Sequence, residues 1–384
     1  MKIVDVNAFY APQGGGVRTY VERKLLAARQ TGHDLTVIAP GENDRIEERG
    51  AGTRIRWIAA PAFPLDRKYR YFDDAARLHA ALDEERPDLV EASSPWRSAR
   101  FVADWPGAAP RALIMHADPL SAYAYRWFGR VASRPTIDRY FNAYWRHLLA
   151  LDRRFDLIVS ASQGLSQRLS DGGLGHVTTI PMGVEPGQFS SALRDPALRA
   201  TLLAECGLSP GGLLLIGLGR LAAEKRWPLV IEAAMAAGCR AEIGLILIGE
   251  GNDAPRLGRL VGENPHVKLT GAIRDRALLA RILASGDALI HGCEAETFCI
   301  AAAEARASGL PLIVPDQGGA ADQATGPYDR RYRAASAKHA ARCILELSAL
   351  PRGAASSGPQ RLMDSHFAEL FAAYEAAALR RLAA

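Results

Sequence analysis

Residues 294–304 combine two glutamates with the predicted start of a helix. The segment, EAETFCIAAAE, follows the apolar strand Ala288–Ile290, with Glu296 in the loop and Glu304 about two turns into the helix. The first backbone N–H groups of a helix have no intrahelical partner and can bind an anion. The segment can therefore offer carboxylates to sugar hydroxyls and amides to a phosphate. The alternative is a surface helix with ordinary glutamates. A glycine turn, DQGG at 316–319, follows the next strand.

Two cations stand five positions apart earlier in the same half of the chain. Arg220 and Lys225 follow the apolar strand Leu213–Leu218 and a glycine turn, just before a helix predicted over residues 228–237. Two positive side chains at a strand exit suit a diphosphate leaving group, because they neutralise the charge that develops on the phosphate. The alternative is a solvated basic loop, which the turn context makes the less favoured interpretation.

The N-terminal half offers a histidine and a glycine-rich turn. His116 follows a predicted strand at 112–115, and ligands of open α/β sheets bind outside the carboxyl ends of the strands. Gly15 and Gly16 follow the first strand and precede a helix, where backbone can approach a phosphate. The alternatives are a structural histidine and a plain turn. The glycine spacing does not match the G-x-G-x-x-G pattern of dinucleotide sites.

Residues 121–155 combine nine aromatic side chains with seven arginines and two acids. Aromatic and basic residues together suit a membrane interface or a lipid-linked acceptor, and aromatic rings also stack on sugars. Tyr123 and Trp127, with Asp118 shortly before them, are the predicted acceptor-binding residues. The alternative is helix packing, in which the arginine stems cover apolar surface.

Most of these candidate residues follow the end of a predicted strand, so the strands determine where their side chains lie. Short apolar runs alternate with longer amphipathic ones, which indicates βαβ units and a mostly parallel, doubly wound sheet. Strands are predicted at 2–6, 35–39, 88–91, 112–115, 157–160, 213–218, 244–248, 267–269, 288–290 and 312–314. The pattern restarts after a join near 181–209 that is rich in Pro, Gly and Ser. We therefore expect an α/β architecture with two Rossmann-like domains.

Composition limits the partners and the compartment. The chain has 384 residues and a net charge of +5, which suits sugar nucleotides or an anionic membrane surface and is too small to argue for nucleic acid. Five cysteines without a C-x-x-C pair argue against a disulfide framework or a zinc site and favour a reducing compartment. No apolar run approaches the ~20 residues that span a bilayer. We expect a cytoplasmic protein, soluble or peripheral on the inner face of the membrane.

Together these motifs resemble glycosyltransferase family 4, which has the GT-B fold, from residue 14 to residue 319. Seven residues separate Glu296 and Glu304, as in the family's second-domain pattern. GRLAAEKRW at 219–227 looks like its phosphate-binding loop, IPMGVEPGQF at 180–189 looks like its inter-domain segment, and ILIGEGNDAPRL at 246–257 is also similar. The resemblance implies a retaining, nucleotide-sugar-dependent glycosyltransferase with its active site in a cleft between two domains.

The resemblance also implies a role for each residue. Glu304 would bind the ribose, Glu296 with the backbone near Phe298 would bind the sugar, and His116 would lie beside the anomeric centre. The implied catalytic residues are His116, Arg220, Lys225 and Glu296. The implied donor-binding residues are Gly15, Gly16, Arg220, Lys225, Glu296, Phe298, Cys299, Ile300 and Glu304.

The family further implies a division of labour along the chain. The predicted boundaries are 1–190 for an acceptor-binding domain, 191–358 for a nucleotide-sugar-binding domain and 359–384 for a C-terminal helix that returns to the first domain. The reaction would move a hexose from a nucleoside diphosphate sugar to a lipid, lipid-linked or glycan acceptor in cell-envelope or polysaccharide biosynthesis.

The chain departs from the family pattern at Cys299, where glycine is usual, and at Thr297, which leaves the identity of the donor sugar open. No Asp-x-Asp occurs in the sequence, so no metal ion or other cofactor is expected, and Arg220 and Lys225 would neutralise the diphosphate.

The predicted fold is also compatible with three other functions. A sugar-nucleotide epimerase would need further carboxylates for acid–base catalysis, and the sequence shows no such arrangement. A phosphorylase of the glycogen type would need a lysine that binds pyridoxal and a much longer chain. A non-catalytic nucleotide-sugar-binding protein would not need the whole set of His116, Arg220, Lys225, Glu296 and Glu304.

Overall fold

The computed structural model describes residues 1–11, 16–64, 69–129, 131–351 and 360–383. The chain divides into two compact units. The first contains Met1–Ala117, Val131–Pro181 and Asp364–Ala384, and the second contains Asp118–Arg130 and Met182–Met363. The chain therefore passes between the units at four places along its length.

The strands form one sheet in each unit. Their bounds in chain order are β1 Lys2–Val6, β2 Asp34–Gly41, β3 Arg45–Gly50, β4 Thr53–Ala59, β5 Leu89–Ala92, β6 Arg111–Met115, β7 Leu157–Ser160, β8 Val177–Thr179, β9 Leu213–Leu218, β10 Ile243–Ile248, β11 Val267–Gly271, β12 Ala288–Ile290, β13 Leu312–Pro315 and β14 Arg330–Tyr332. The first sheet has the order β3-β4-β2-β1-β5-β6-β7-β8 and the second β11-β10-β9-β12-β13-β14.

Helices follow most of the strands. Their bounds are α1 Gly16–Gln30, α2 Ala75–Glu85, α3 Arg97–Asp104, α4 Tyr125–Phe128, α5 Arg134–Tyr140, α6 Asn142–Asp152, α7 Gln163–Asp171, α8 Pro196–Glu205, α9 Trp227–Gly238, α10 Ala254–Val261, α11 Arg276–Ser285, α12 Ile300–Ala307, α13 Gly319–Gln323, α14 Ala337–Ser348 and α15 Met363–Ala383. Within the described part of the chain, none of them is long and apolar enough to cross a membrane.

Several helices begin at an aspartate that binds their first free N–H groups. The carboxylate of Asp74 accepts hydrogen bonds from the second and third N–H groups of α2, and Asp195 and Asp275 do the same for α8 and α11. A side-chain oxygen at this position satisfies donors that the helix itself leaves without a partner. The sequence thus marks these helix starts locally.

The predicted α/β architecture with two parallel-sheet domains is confirmed. Among the strands that the structure describes, all pairs are parallel except β3 with β4. The sequence analysis missed this antiparallel hairpin. The reason is visible in β3, whose sequence RIEERG is charged and whose residues are exposed or half-buried because it lies at the sheet edge. Apolar periodicity does not reveal such a strand.

The core of the first unit encloses a charged cluster. Lys24 of α1 contacts Glu91 of β5, and its Nζ lies 3.1 Å from Asp5 Oδ2 of β1; all three side chains are fully buried. Ser93 Oγ lies 2.8 Å from Asp5 Oδ1 and 2.9 Å from Glu91 Oε1. The hydroxyl of Tyr374 in α15 donates to Glu91 Oε2 at 2.5 Å. We call these five residues the sealed cluster.

Helix α15 is held in the first unit by this cluster and by a histidine. His366 Nε2 lies 2.9 Å from Tyr20 Oη, and its Nδ1 lies 3.0 Å from the carbonyl oxygen of Pro181. The C-terminal helix therefore packs within the first unit.

Candidate functional site

The second sheet has a topological switch point between β9 and β12. The chain builds outward from β9 through β10 to β11 on one side and from β12 through β13 to β14 on the other. Because β9 and β12 are parallel neighbours, the loops after them leave the same edge of the sheet. Open α/β sheets bind ligands in the crevice at such a point. Arg220 and Lys225 follow β9, and Glu296 follows β12.

Lys225 and Glu296 form an ion pair across this switch point. Lys225 Nζ donates to Glu296 Oε1, and about a fifth of each side chain remains exposed to solvent. Burial alone would raise the pKa of Glu296, but Lys225 and then His291 hold it well below its usual range. Burial would lower the pKa of Lys225, and Glu296 raises it above its usual value. Both groups are therefore charged at neutral pH.

Two helices of the site begin at residues in the left-handed conformation. Arg226 precedes α9 with a φ of 52°, and Cys299 precedes α12 with a φ of 68°. Side chains other than glycine adopt this conformation at a cost of roughly 1–2 kcal/mol. Local strain of this kind at both loops of the switch point is consistent with a ligand site.

Glu304 is buried inside α12 and pairs with a cation that the sequence analysis missed. Arg276 Nη2 of α11 donates to Glu304 Oε1 at 2.6 Å and to Gln188 Oε1 at 3.2 Å. Burial raises the pKa of Glu304, and Arg276 opposes this shift. The Arg276 side chain is 44% exposed, so a polar ligand can approach this pair.

The loop from Glu294 to Cys299 is supported by the turn after β13. Gly318 has a φ of 79°, and a Cβ there would lie 2.4 Å from the carbonyl oxygen of Glu294. The N–H of Gly319 donates to the carbonyl oxygen of Glu296 at 2.7 Å. The amide of Gln323 contacts the carbonyl oxygens of both Phe298 and Cys299. Only glycine permits this close backbone approach.

The other predicted donor residues of this unit differ in exposure. Phe298 and Cys299 are buried, and Ile300 is 41% exposed at the start of α12. Arg220 is 70% exposed and pairs with Glu224 at 2.7 Å. Arg226, which the sequence analysis passed over, forms a two-pronged ion pair with Glu294. The structure thus brings Lys225, Glu296 and the start of α12 together and leaves Arg220 extended into solvent.

His116 lies in the first unit, immediately after β6. Its ring packs edge-on against Tyr20 with the centroids 4.9 Å apart. Burial lowers the pKa of His116 to about 4, although the nearby Asp5 acts in the opposite direction. The histidine is therefore neutral at pH 7, and its catalytic role stays a prediction.

The remaining predicted residues are placed unevenly. Gly15 lies outside the described residues, and Gly16 is the first residue of α1, with open space where a Cβ would stand. Both carboxylate oxygens of Asp118 contact Ser121, so this side chain stabilises the turn that follows it. Tyr123 and Trp127 are 53% and 59% exposed, and their rings are 5.5 Å apart.

Two further residues of the site escaped sequence analysis. His291 directly follows β12, is 1% exposed, and places Nε2 3.3 Å from Glu296 Oε1. Arg276 reaches Glu304 from another helix. The position of His291 at a strand exit was a usable signal, of the same kind that identified His116. The pairing of Arg276 with Glu304 carries no sequence signal, because 28 residues separate the two.

Comparison with known proteins covers most of the chain. The sequence profile of Glycosyltransferase Family 4 matches residues 14–188, and that of Glycosyl transferases group 1 matches residues 212–349. The two matched regions contain all of the predicted site residues.

Characterised relatives and a solved structure agree with this. A GDP-mannose-dependent alpha-mannosyltransferase of Mycolicibacterium smegmatis is 30% identical over 84% of this chain and 81% of its own. A GDP-mannose-dependent alpha-(1-6)-phosphatidylinositol dimannoside mannosyltransferase of Mycobacterium tuberculosis is 30% identical over 82% of this chain and 79% of its own. Sucrose-phosphate synthase of Thermosynechococcus elongatus shares the fold, with a TM-score of 0.70 at 20% identity over 99% of this chain and 96% of its own.

Proposed function

Because the chain belongs to glycosyltransferase family 4, we propose that it transfers mannose from GDP-mannose to a lipid-linked acceptor, with retention of anomeric configuration and without a metal ion. That it is a nucleotide-sugar glycosyltransferase of cell-envelope biosynthesis follows from its family and relatives. The identity of the base and of the sugar rests on the relatives' substrates. Retention and metal independence rest on the family resemblance and on the charges of the site.

The observation that carries this proposal is the Lys225–Glu296 pair at the switch point of the second sheet. A cation and a carboxylate meet there beside the N-terminus of α12, at the edge where doubly wound sheets bind nucleotides. Lys225 is suited to the diphosphate and Glu296 to sugar hydroxyls, so one pair serves both halves of a sugar nucleotide.

The charged residues of the site support a diphosphate leaving group that is bound by protein side chains. Lys225 carries its charge throughout the physiological range, because Glu296 raises its pKa. Arg220 is exposed and long enough to turn from Glu224 to an incoming anion. Fixed cations stabilise the charge that grows on a departing phosphate, and they act more strongly where water is excluded. Glu304, held by Arg276, supplies a carboxylate for ribose hydroxyls.

A competition among donors tests the proposal. GDP-mannose, GDP-glucose, UDP-glucose and ADP-glucose are compared at one concentration by thermal unfolding. A ligand that binds only the folded protein at 100 times its Kd adds about 2.7 kcal/mol of stability. We expect GDP-mannose to raise Tm most. Transfer of labelled mannose to a phosphatidylinositol mannoside, strongly reduced with Lys225→Met, would then demonstrate the reaction. Stabilisation without transfer to any lipid or glycan would favour a non-catalytic binding protein.

Two further measurements test stereochemistry and metal independence. An α-linked product from the α-linked donor, read from the one-bond carbon–proton NMR coupling at the anomeric centre, is the expected result, and a β-linked product would contradict retention. Activity should persist in EDTA because Lys225 and Arg220 carry the diphosphate charge. Loss of activity in EDTA that magnesium or manganese restores would contradict the metal-free assignment.

The exposed aromatic side chains support a lipid-facing acceptor region. Tyr123, Trp127 and Phe128 are all more than 40% exposed, while Tyr125 between them is buried. Rings of this kind partition into membrane interfaces, and exposed arginines such as Arg134 attract anionic headgroups.

We expect co-sedimentation with anionic vesicles that weakens with salt and is reduced in a Tyr123→Ser, Trp127→Ser variant. Absence from the lipid pellet at low salt would contradict a membrane-surface partner. The predicted cytoplasmic location, peripheral at the membrane, belongs to the same proposal.

A further inference from the structure

The switch point contains a buried histidine whose ring is poorly satisfied. His291 is 1% exposed, and its Nδ1 makes no hydrogen bond to the residues that the structure describes. Its Nε2 makes only a 3.3 Å electrostatic contact with Glu296 Oε1 and no well-directed hydrogen bond. Buried polar groups in proteins are almost always hydrogen-bonded, so such a ring needs an explanation.

A buried thiol faces the same place. Cys299 is a free cysteine, 4% exposed, at the position where the resembled family usually has glycine. It keeps a left-handed backbone with a φ of 68°, which a side chain makes less favourable. One ligand atom each from His291, Glu296 and Cys299 lies within 4.8 Å of the other two.

An imidazole nitrogen, a carboxylate oxygen and a thiolate sulfur are the three ligand types of zinc sites in proteins. Ligand atoms around a tetrahedral zinc ion are roughly 3.3–3.7 Å apart, given metal–ligand distances of about 2.0–2.3 Å. His291 Nε2 and Glu296 Oε1 already lie at such a distance, 3.3 Å, and the groups farther apart need to approach by at most about 1 Å; a fourth position remains for water. The thiol proton passes to solvent as the Cys299–metal bond forms.

We propose that His291, Glu296 and Cys299 form an inhibitory site for a soft divalent cation such as Zn²⁺. Metal binding itself does not rest on the proposed function, because these three side chains are its only ligands from the protein. Its consequence for catalysis rests on the proposed function, because the metal occupies the Glu296 carboxylate that would hold the donor sugar. The site thus couples sugar transfer to the concentration of free soft metal ions.

Lys225 makes the site weak and reversible. Its ammonium group already contacts Glu296, and it must leave for a divalent cation to bind, because like charges at this distance repel. The apo protein thus holds Glu296 with an internal cation that competes with the metal. Removing the lysine should therefore strongly reduce transfer and yet strengthen metal binding, an outcome that no general damage to the site would produce.

Binding is tested with the full-length protein and metal alone. Zn²⁺ affinity is measured by calorimetry, and Co²⁺ replaces zinc so that a thiolate-to-cobalt band reports the sulfur ligand. We expect the band in the wild type and in Cys239→Ser, which removes an exposed cysteine elsewhere, and its loss in Cys299→Ser. His291→Gln and Cys299→Ser should each weaken Zn²⁺ binding about tenfold or more. No band in the wild type, or an unchanged band in Cys299→Ser, overturns the site.

The competing lysine and the activity assay complete the test. Lys225→Met should bind Zn²⁺ about tenfold more tightly than the wild type, the size of a ~1.4 kcal/mol change. Unchanged or weaker binding overturns the role of Lys225. Zinc should inhibit mannosyl transfer by the wild type competitively with donor, and Cys299→Ser should resist it. If no donor supports transfer but the cobalt band appears as described, the metal site stands and only the proposed function fails.

Discussion

Each unit of the protein contains a lysine that lies among acidic groups, and the two lysines differ in access to solvent. In the sealed cluster of the first unit, Lys24, Asp5 and Glu91 have no exposed side-chain surface, and hydroxyls of Ser93 and Tyr374 complete their contacts. At the switch point, Lys225 and Glu296 keep about a fifth of their side-chain surface exposed, and the neighbouring His291 is poorly satisfied.

The difference separates a structural role from a ligand-binding one. The charges of the sealed cluster are buried on the two central strands and on α1, with no exposed side-chain surface in the described part of the protein. Burial raises the pKa of Asp5, and the nearby Glu91 raises it further, whereas Lys24 lowers it. The cluster thus contains one cation and two acidic groups. The Lys225–Glu296 pair lies on loops that leave the sheet. An incoming anion can there take the place of Glu296 as the partner of Lys225.

The largest effect should follow Lys24→Met. The substitution keeps the length of the side chain and leaves two buried carboxylates without their cation, a change that costs about 3–5 kcal/mol. Urea unfolding measures it, with the exposed Lys338→Met as a control that should stay within about 0.5 kcal/mol of wild type. A loss below about 1 kcal/mol would show that the sealed cluster does not stabilise the first unit.

The same substitution at the second lysine should give the reverse pattern. Lys225→Met leaves Glu296 without its cation at a site where about a fifth of the side-chain surface still reaches solvent, so the loss of stability should be about 1–3 kcal/mol, smaller than that of Lys24→Met. Turnover at saturating donor should instead fall about 10²–10³-fold, because a cation at the leaving group acts in the transition state. Stability and steady-state rates measured on both lysine variants would test the contrast, and equal losses of stability would remove it.

Lowering the pH should reduce the stability of the first unit, because His116 takes up a proton more readily in the unfolded chain than in the folded protein. The unfolded chain binds a proton on this histidine near pH 6.5, and the folded protein only near pH 4. The stabilisation is therefore complete above pH 6.5 and is lost as the pH falls toward 4, by about 3 kcal/mol in total. The unfolding free energy of His116→Gln should decline less over this range, and parallel pH profiles would contradict the assignment.

The smallest expected effect concerns the ribose. Glu304→Gln removes a charged acceptor and the partner of Arg276, which should weaken GDP binding by about 1.5–3 kcal/mol. Calorimetry measures the affinity, and the exposed Glu263→Gln serves as the matched control. Equal GDP affinity in the two variants would exclude Glu304 from the nucleotide site.

Local patterns in the sequence were sufficient for the fold and for half of the site. Apolar runs located the central strands to within a residue or two, because buried parallel strands must be continuously hydrophobic. Lys225, Glu296 and Glu304 were identifiable because strand exits and helix starts are local features. Strands β3, β4, β8 and β14 were missed, because they lie at or near sheet edges and their sequences are short or contain charged residues.

What the sequence by itself determined, then, is the order of strands and helices, the glutamate spacing and the cations that follow β9. Tertiary structure alone decided which charges meet. Lys225 lies 71 residues from Glu296, Lys24 lies 67 from Glu91, and Tyr374 lies 283 from that same glutamate. No local pattern encodes such pairs, because the sheet order brings their strands together. Burial is likewise a property of the packed molecule, and it is burial that makes His116 neutral and leaves His291 beside Cys299 without adequate partners.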